Sequence, residues 1–194
     1  KWTTNKDGTG NVVTTETILS EVANITIYAQ WSANTYYIIY NGNGNDGGSM
    51  EKSTHTYDVS TNLTANAYER SGWTFTGWAT SATGSKLYDD KEKVNNLASD
   101  NGAEVNLYAV WVINVYTITA NANSGSITDF KTWTKSSDAI ATKSVNSETE
   151  LTDLPIVTRA KYRFVRWNTK SDNTGTEITT KTVPSGNMTI YAIW

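Results

Sequence analysis

The amino-acid sequence predicts a mainly β chain, α+β at most, built of tandem repeats. Three observations carry that prediction. A five-residue phrase recurs as "IYAQW", "LYAVW" and "IYAIW", closing at Trp31, Trp111 and Trp194 with spacings of 80 and 83 residues. The residues leading into each phrase alternate in polarity with a period of two, the pattern of a half-buried strand. The composition is rich in Thr and Asn, with 11 Tyr, 8 Trp and only 2 Pro, which favours strands. No long heptad or 3.6-residue apolar pattern competes with this reading.

The closing strand is the clearest element. In "VNLYAVW", Val105, Leu107, Ala109 and Trp111 share one face, opposite Asn106, Tyr108 and Val110. "ITIYAQW" groups Ile25, Ile27, Ala29 and Trp31, and "MTIYAIW" groups Met188, Ile190, Ala192 and Trp194. A small residue between large ones (Ala29, Ala109, Ala192) predicts that another element crosses closely there. Tyr28, Tyr108 and Tyr191 recur on the outward face.

Upstream, "GWTFTGWATSATG" aligns with "KYRFVRWNTKSDNTG" and with the opening "KWTTNKDGTG". Trp2, Trp78 and Trp167 become equivalent, as do Phe75 and Phe164, Trp73 and Tyr162, Asp7 and Asp172, and the pairs Thr9-Gly10 and Thr174-Gly175. Strict alternation through "WTFTGW" sets Trp78 on the face opposite Trp73 and Phe75, over a sheet edge or the next unit. A third shared piece opens each unit: "TYYIIYNGN" matches "VYTITANAN", with Tyr36, Ile38 and Tyr40 facing one way, as Tyr116, Ile118 and Ala120 do. The Asn/Gly stretches that follow, "NGNGNDGG" and "NANSGS", read as hairpin connections. "YDDKEKVNNLA" predicts a turn or two of helix, because Asp89, Asp90 and Glu92 sit where N-terminal acids are favoured.

The organisation that follows is a C-terminal half of a truncated repeat at 1–31 and complete repeats at 32–111 and 112–194. Units of this length sit near the size at which one small core suffices, so the signature residues Trp2, Trp31, Trp78, Trp111, Trp167 and Trp194 carry much of the expected burial. The links "SAN" and "VIN" contain neither Gly nor Pro. They predict a semi-rigid, elongated rod in which Val112 and Ile113 bury at least partly. The half repeat lacks an opening strand and is expected to be completed by a segment upstream of Lys1.

Several function classes recede on composition. Net charge is −3 and the pI about 5.2, which gives no electrostatic footprint for nucleic acid. There is no Cys, hence no thiol chemistry, and no apolar run of about 18 residues to insert in a membrane. The single histidine, His55, lies in "KSTHTY" and reads as a surface strand residue, with no second His or Cys to make a metal or catalytic site. "NGNGNDGG" lacks the acid spacing of a calcium loop. Asp89, Asp90 and Glu92, interleaved with Lys91 and Lys93, read as a solvated face. No catalytic residue, metal site or cofactor is expected. Tyr28, Tyr108 and Tyr191 are the candidate ligand contacts, as an aromatic row for glycan or protein, against the plainer reading of cross-strand packing.

The pair Trp73-Thr-Phe-Thr-Gly-Trp78 with Leu107-Tyr-Ala-Val-Trp111, and Tyr162-Arg-Phe-Val-Arg-Trp167 with Ile190-Tyr-Ala-Ile-Trp194, resembles the Listeria–Bacteroides repeat, the internalin-type B repeat. The pattern's Gly before the second Trp is present at Gly77 but is Arg166 in the last unit and Lys1 in the first. The resemblance implies a β-grasp-like domain with at most one short helix. It also implies tandem arrays in bacterial surface or secreted proteins, acting as stalks, spacers and adhesive segments without catalytic residues. The expected partners are neighbouring repeats and, through the tyrosines, host protein or glycan. The expected location is extracellular.

Overall fold

The computed structural model describes residues 1–18 and 24–194. All regular structure among them is strand, and the pairing is mostly antiparallel. Short strands β1 (Trp2–Thr3), β2 (Val12–Val13) and β3 (Tyr28–Ala29) form a three-stranded sheet in the order β2-β1-β3. The next stretch holds β4 (Thr35–Asn41), β5 (Ser53–Thr56), β6 (Thr61–Asn62), β7 (Trp73–Ala79), β8 (Lys93–Val94) and β9 (Glu104–Ile113). The last holds β10 (Val115–Asn121), β11 (Ser126–Asp129), β12 (Thr134–Lys135), β13 (Ile140–Asn146), β14 (Ile156–Thr158), β15 (Arg166–Asn168), β16 (Glu177–Ile178) and β17 (Met188–Ile193).

The chain divides by compactness into two units. One comprises Lys1–Asn41, Glu51–Asn66 and Asp90–Leu107; the other comprises Gly42–Met50, Ala67–Asp89 and Tyr108–Trp194. In the first, β4 pairs with β5 in antiparallel register, Tyr36 opposite His55, and β6 pairs with β8. Its interior gathers Tyr36, Ile38, Tyr40, Leu63, Val94 and Leu107. The alternating burial of β4 follows its sequence, with Tyr36, Ile38 and Tyr40 inward and Thr35, Tyr37 and Ile39 half-exposed.

In the second unit, the sheet order β12-β13-β10-β17-β15-β16 places β10 and β17 side by side at the centre. They run parallel, from Ile118 opposite Met188 to Asn121 opposite Tyr191. Strand β13 flanks β10 and β15 flanks β17, both antiparallel. One core is enclosed here, of Ile118, Ala120, Ala122, Ile127, Trp133, Ala141, Val145, Leu151, Trp167, Ile178, Ile190 and Ala192. The middle stretch repeats this order as β5-β4-β9-β7.

Four expectations are corrected. The helix expected in "YDDKEKVNNLA" does not form: Lys91 takes φ 58° and Asn96 φ 52°, left-handed values that interrupt a helix, and Lys93–Val94 pairs as a strand instead. "NANSGS" does not close a hairpin onto the next strand, because β11 pairs with β14 while β10 reaches ahead to β13. Val112 is 54% exposed, because β9 continues past Trp111 and alternation turns Val112 outward while Ile113 is half-buried. His55 is not a surface residue but 1% exposed, and its ring stacks on Tyr36 at 5.5 Å between centroids.

Candidate functional site

The signature tryptophans sit at one repeated constellation. The second Trp of each motif faces the Ala of the closing strand: Trp2 opposite Ala29, Trp78 opposite Ala109, Trp167 opposite Ala192. On its other side it faces Val13, Tyr88 or Ile178. Each of these alanines thus lies beside the strand that carries the indole. Trp78 is fully buried rather than outward, because the register shifts between Phe75 and Gly77 and the bulge resets the alternation. Phe75 and Trp78 then meet edge-on at 5.0 Å. Gly77 permits the bulge with φ 147°, a value that side chains disfavour, and a Cβ there would strike the Tyr88 carbonyl.

The closing Trp ties the last strand to the first. Trp111 Nε1 donates to the Gly42 carbonyl at 2.8 Å, and Trp194 Nε1 donates to the carbonyls of Ala122 and Asn123 at 3.1 and 2.9 Å. Phe75 meets Trp111 edge-on at 5.6 Å, and Phe164 meets Trp194 at 6.0 Å. An asparagine completes the clamp. Asn43 (φ 50°) donates its amide to the carbonyls of Ala82 and Ala109, both at 2.9 Å. Asn123 (φ 46°) donates to those of Ser171 at 3.2 Å and Ala192 at 3.0 Å. Asn tolerates the left-handed backbone and also supplies the donors. Sequence reasoning took these residues as turn formers and missed the clamp. The signal was their fixed place two residues beyond each opening strand.

Tyr28, Tyr108 and Tyr191 are each half-buried and hold equivalent register positions, opposite Thr3, Ala79 and Asn168. Tyr191 lines an open cleft of about 290 Å³ with Thr169, Lys170, Ser171 and Asp172. The loop beside it is built by local bonds: Asp172 Oδ1 accepts from the Thr174 backbone N–H at 2.9 Å and its hydroxyl at 2.7 Å. The hydroxyl bond, with the backbone bond behind it, holds the Asp172 carboxyl below the usual aspartate range.

Elsewhere polar chemistry is sparse. Among the described residues, no group of three His, Cys, Asp or Glu side chains is placed to hold a metal ion. Asp89 pairs with Lys86 at 2.6 Å, and Asp90 accepts the Asn66 N–H, so the acidic cluster is split between two structural tasks. His55 Nε2 bonds the Ser53 hydroxyl at 3.0 Å, and desolvation lowers its pKa, keeping the ring neutral.

The stretch between the second and third phrases is tightly held. Asn114 alone separates β9 from β10. Its N–H donates to the Gly72 carbonyl at 2.8 Å, its carbonyl accepts from Ser147 N–H at 2.8 Å, and its side-chain oxygen accepts from Thr74 Oγ1 at 2.6 Å. Ser147 Oγ also donates to the Gly72 carbonyl, and Trp73 Nε1 reaches Glu148 at 3.4 Å. Gly72 takes φ 74°, and a Cβ on it would lie 2.7 Å from Ser147 Oγ. Arg70 covers the Trp73 ring at 3.9 Å.

Comparison with known proteins places this geometry. Residues 36–110 and 116–193 match the model of the Listeria-Bacteroides repeat domain. The chain is 35% identical over 103 residues to a protein of Evansella cellulosilytica named "Putative Gly-rich membrane protein", covering 52% of this chain and 12% of that one. It is 29% identical over 126 residues to Internalin H of Listeria monocytogenes, covering 63% of this chain and 19% of that one. The chain therefore spans less than a fifth of the length of either curated relative. The matched model describes a repeat domain.

Proposed function

The chain belongs to the Listeria-Bacteroides repeat family, and from that premise we propose that it is a structural spacer, a stalk segment of a repetitive bacterial cell-surface or secreted protein of the adhesin type. In this reading, 32–111 and 112–194 are complete β-grasp-like repeats and 1–31 is the closing half of another, all of them extracellular. The observation that carries it is the link at Asn114: a single residue, bonded on three sides to Gly72, Thr74 and Ser147, leaves little freedom between consecutive repeats. A spacer must transmit position, and such a link does so where a flexible linker would not. The test is made in the parent protein on cells. Removing residues 112–194 is expected to bring an epitope distal to them closer to the envelope, read by fluorescence distance from the membrane, while leaving ligand binding by other domains intact. An unchanged epitope distance would overturn the spacer reading.

A second reading is favoured by the cleft beside Tyr191. In it, the outward face of Tyr28, Tyr108 and Tyr191 contacts host protein or glycan. Tyr108→Ala and Tyr191→Ala together would then abolish retention on a glycan array or on host-cell surface protein without lowering thermal stability by more than a few degrees.

A further inference from the structure

The N-terminal segment and the last repeat share the closing phrase, and among the described residues only the last repeat pairs an opening strand with it. Strand β17 lies between β15 and β10, whereas β3 is the edge of its sheet, with β1 on one side only among the described residues. The burial differs accordingly. Ile190 is fully buried, while Ile27, its counterpart, is 39% exposed. Trp194 is half-buried with its indole N–H bonded to two carbonyls, while Trp31 is 92% exposed.

We propose that the free edge of β3 is an acceptor for one added peptide strand, and that its occupant is an opening strand of this repeat type. The chemistry of the occupant is read from the two completed sites. It is a strand of seven residues with inward apolar positions like Tyr36, Ile38 and Tyr40 or Tyr116, Ile118 and Ala120, followed two residues later by a left-handed Asn. It enters parallel to β3, as β10 lies parallel to β17. Its main chain pairs the edge, its apolar side chains cover Ile25 and Ile27, and its Asn amide reaches the Ala29 carbonyl as Asn43 and Asn123 reach those of Ala109 and Ala192. The Trp31 indole then donates to a carbonyl just past the strand. This is strand addition, in which the ladder supplies affinity and alternate side chains supply selectivity. A second copy of this chain is not the occupant, because its two opening strands are already committed between β5 and β9 and between β13 and β17.

The experiment adds a synthetic peptide of residues 33–45 to the full 194-residue protein and follows amide exchange and Trp emission. Protection in 24–31 is expected to rise at least about tenfold, the change from a locally opening edge to a held strand, with a blue shift that Trp31→Phe diminishes. A peptide carrying Asn43→Ala is expected to bind more weakly, and one with Ser at positions 36, 38 and 40 not at all. No added protection at millimolar peptide, or equal protection by the Ser peptide, would overturn the proposal. So would a protein that is already dimeric and protected in 24–31 without peptide, since a second copy would then hold the edge.

Discussion

Residues 2–17 and 28–31 align in sequence with 167–182 and 191–194, but the two stretches lie in different company. Their loops share several bonds. Asp7 Oδ1 accepts from the Thr9 N–H and hydroxyl at 3.0 and 2.6 Å, as Asp172 does from Thr174 at 2.9 and 2.7 Å. Thr4 Oγ1 accepts from Asn11 N–H at 3.0 Å, as Thr169 Oγ1 does from Thr176 at 2.9 Å. Thr14 N–H donates to Thr17 Oγ1 at 2.8 Å, as Thr179 N–H does to Thr182 at 2.9 Å. Their tryptophans do not agree: Trp2 is 49% exposed and Trp167 is 3% exposed. Turn geometry is therefore a local property of this sequence, set by side chains that bond their own backbone. Burial is a property of the completed sheet, and it depends on a strand some 50 residues earlier in the chain, β10 at Val115–Asn121.

The comparison can be broken most sharply at the second Trp. Trp167→Ala is expected to destabilise the last repeat by about 3–5 kcal/mol, and Trp2→Ala to cost under about 1 kcal/mol, both read by denaturant unfolding. Equal costs would mean that the N-terminal segment is packed as well as the last repeat. Next is the clamp: Asn123→Ala leaves the Ala192 and Ser171 carbonyls without their donor and is expected to cost about 1–3 kcal/mol, measured by the same unfolding curves. A smaller loss, about 1 kcal/mol, is expected for Trp194→Phe, which keeps the ring contact with Phe164 but deletes the N–H donor; Trp31→Phe should leave the midpoint unmoved.

Two pH effects complete the series. The neutral His55 occupies the register position that Val145 holds in the last repeat, each opposite a Tyr. Its folded pKa is lowered by desolvation. Its contribution is thus fully present above the ordinary imidazole range and is lost as pH falls through that range toward the lowered value. The middle repeat should weaken on mild acidification while the last does not, and His55→Val should remove the difference in hydrogen-exchange or thermal midpoints. The smallest effect is a predicted equality. The carboxyls of Asp7 and Asp172 are both lowered, first by the side-chain hydroxyl of Thr9 or Thr174. Each supports its loop above the ordinary aspartate range and loses that support as pH falls through the lowered value. Carbon-detected NMR titration should find both below the ordinary value. A normal Asp7 beside a lowered Asp172 would show that the loop needs the complete repeat.

Much of the fold was legible because the repeat supplied three readings of the closing half and two of the opening strand. The alternation in "VNLYAVW" placed Leu107 and Ala109 inside correctly, and aligning Trp2 with Trp167 anticipated the shared loop. What escaped depends on partners distant in sequence. His55 reads as polar until its strand is paired with Tyr36. Trp78 reads as outward until the bulge before Gly77 is known. Acids before Lys91 look like a helix start until the backbone turns left-handed there. The clamp of Asn43 and Asn123 spans 66 and 69 residues to Ala109 and Ala192, and no local pattern reports it.

The parallel pairing of β10 with β17 has a mechanical meaning. The first strand of the last repeat enters the sheet beside the strand that leaves it, and both point the same way. Tension applied at Val115 and at Trp194 therefore pulls these neighbours past each other along their length. The rungs between Ile118–Asn121 and Met188–Tyr191 are loaded together in shear rather than peeled one at a time. Slip of the pair also drags the indole of Trp194 from the carbonyls of Ala122 and Asn123. Force directed along such a chain meets its strongest resistance at the centre of the sheet, where strand ends and core are locked by the same residue.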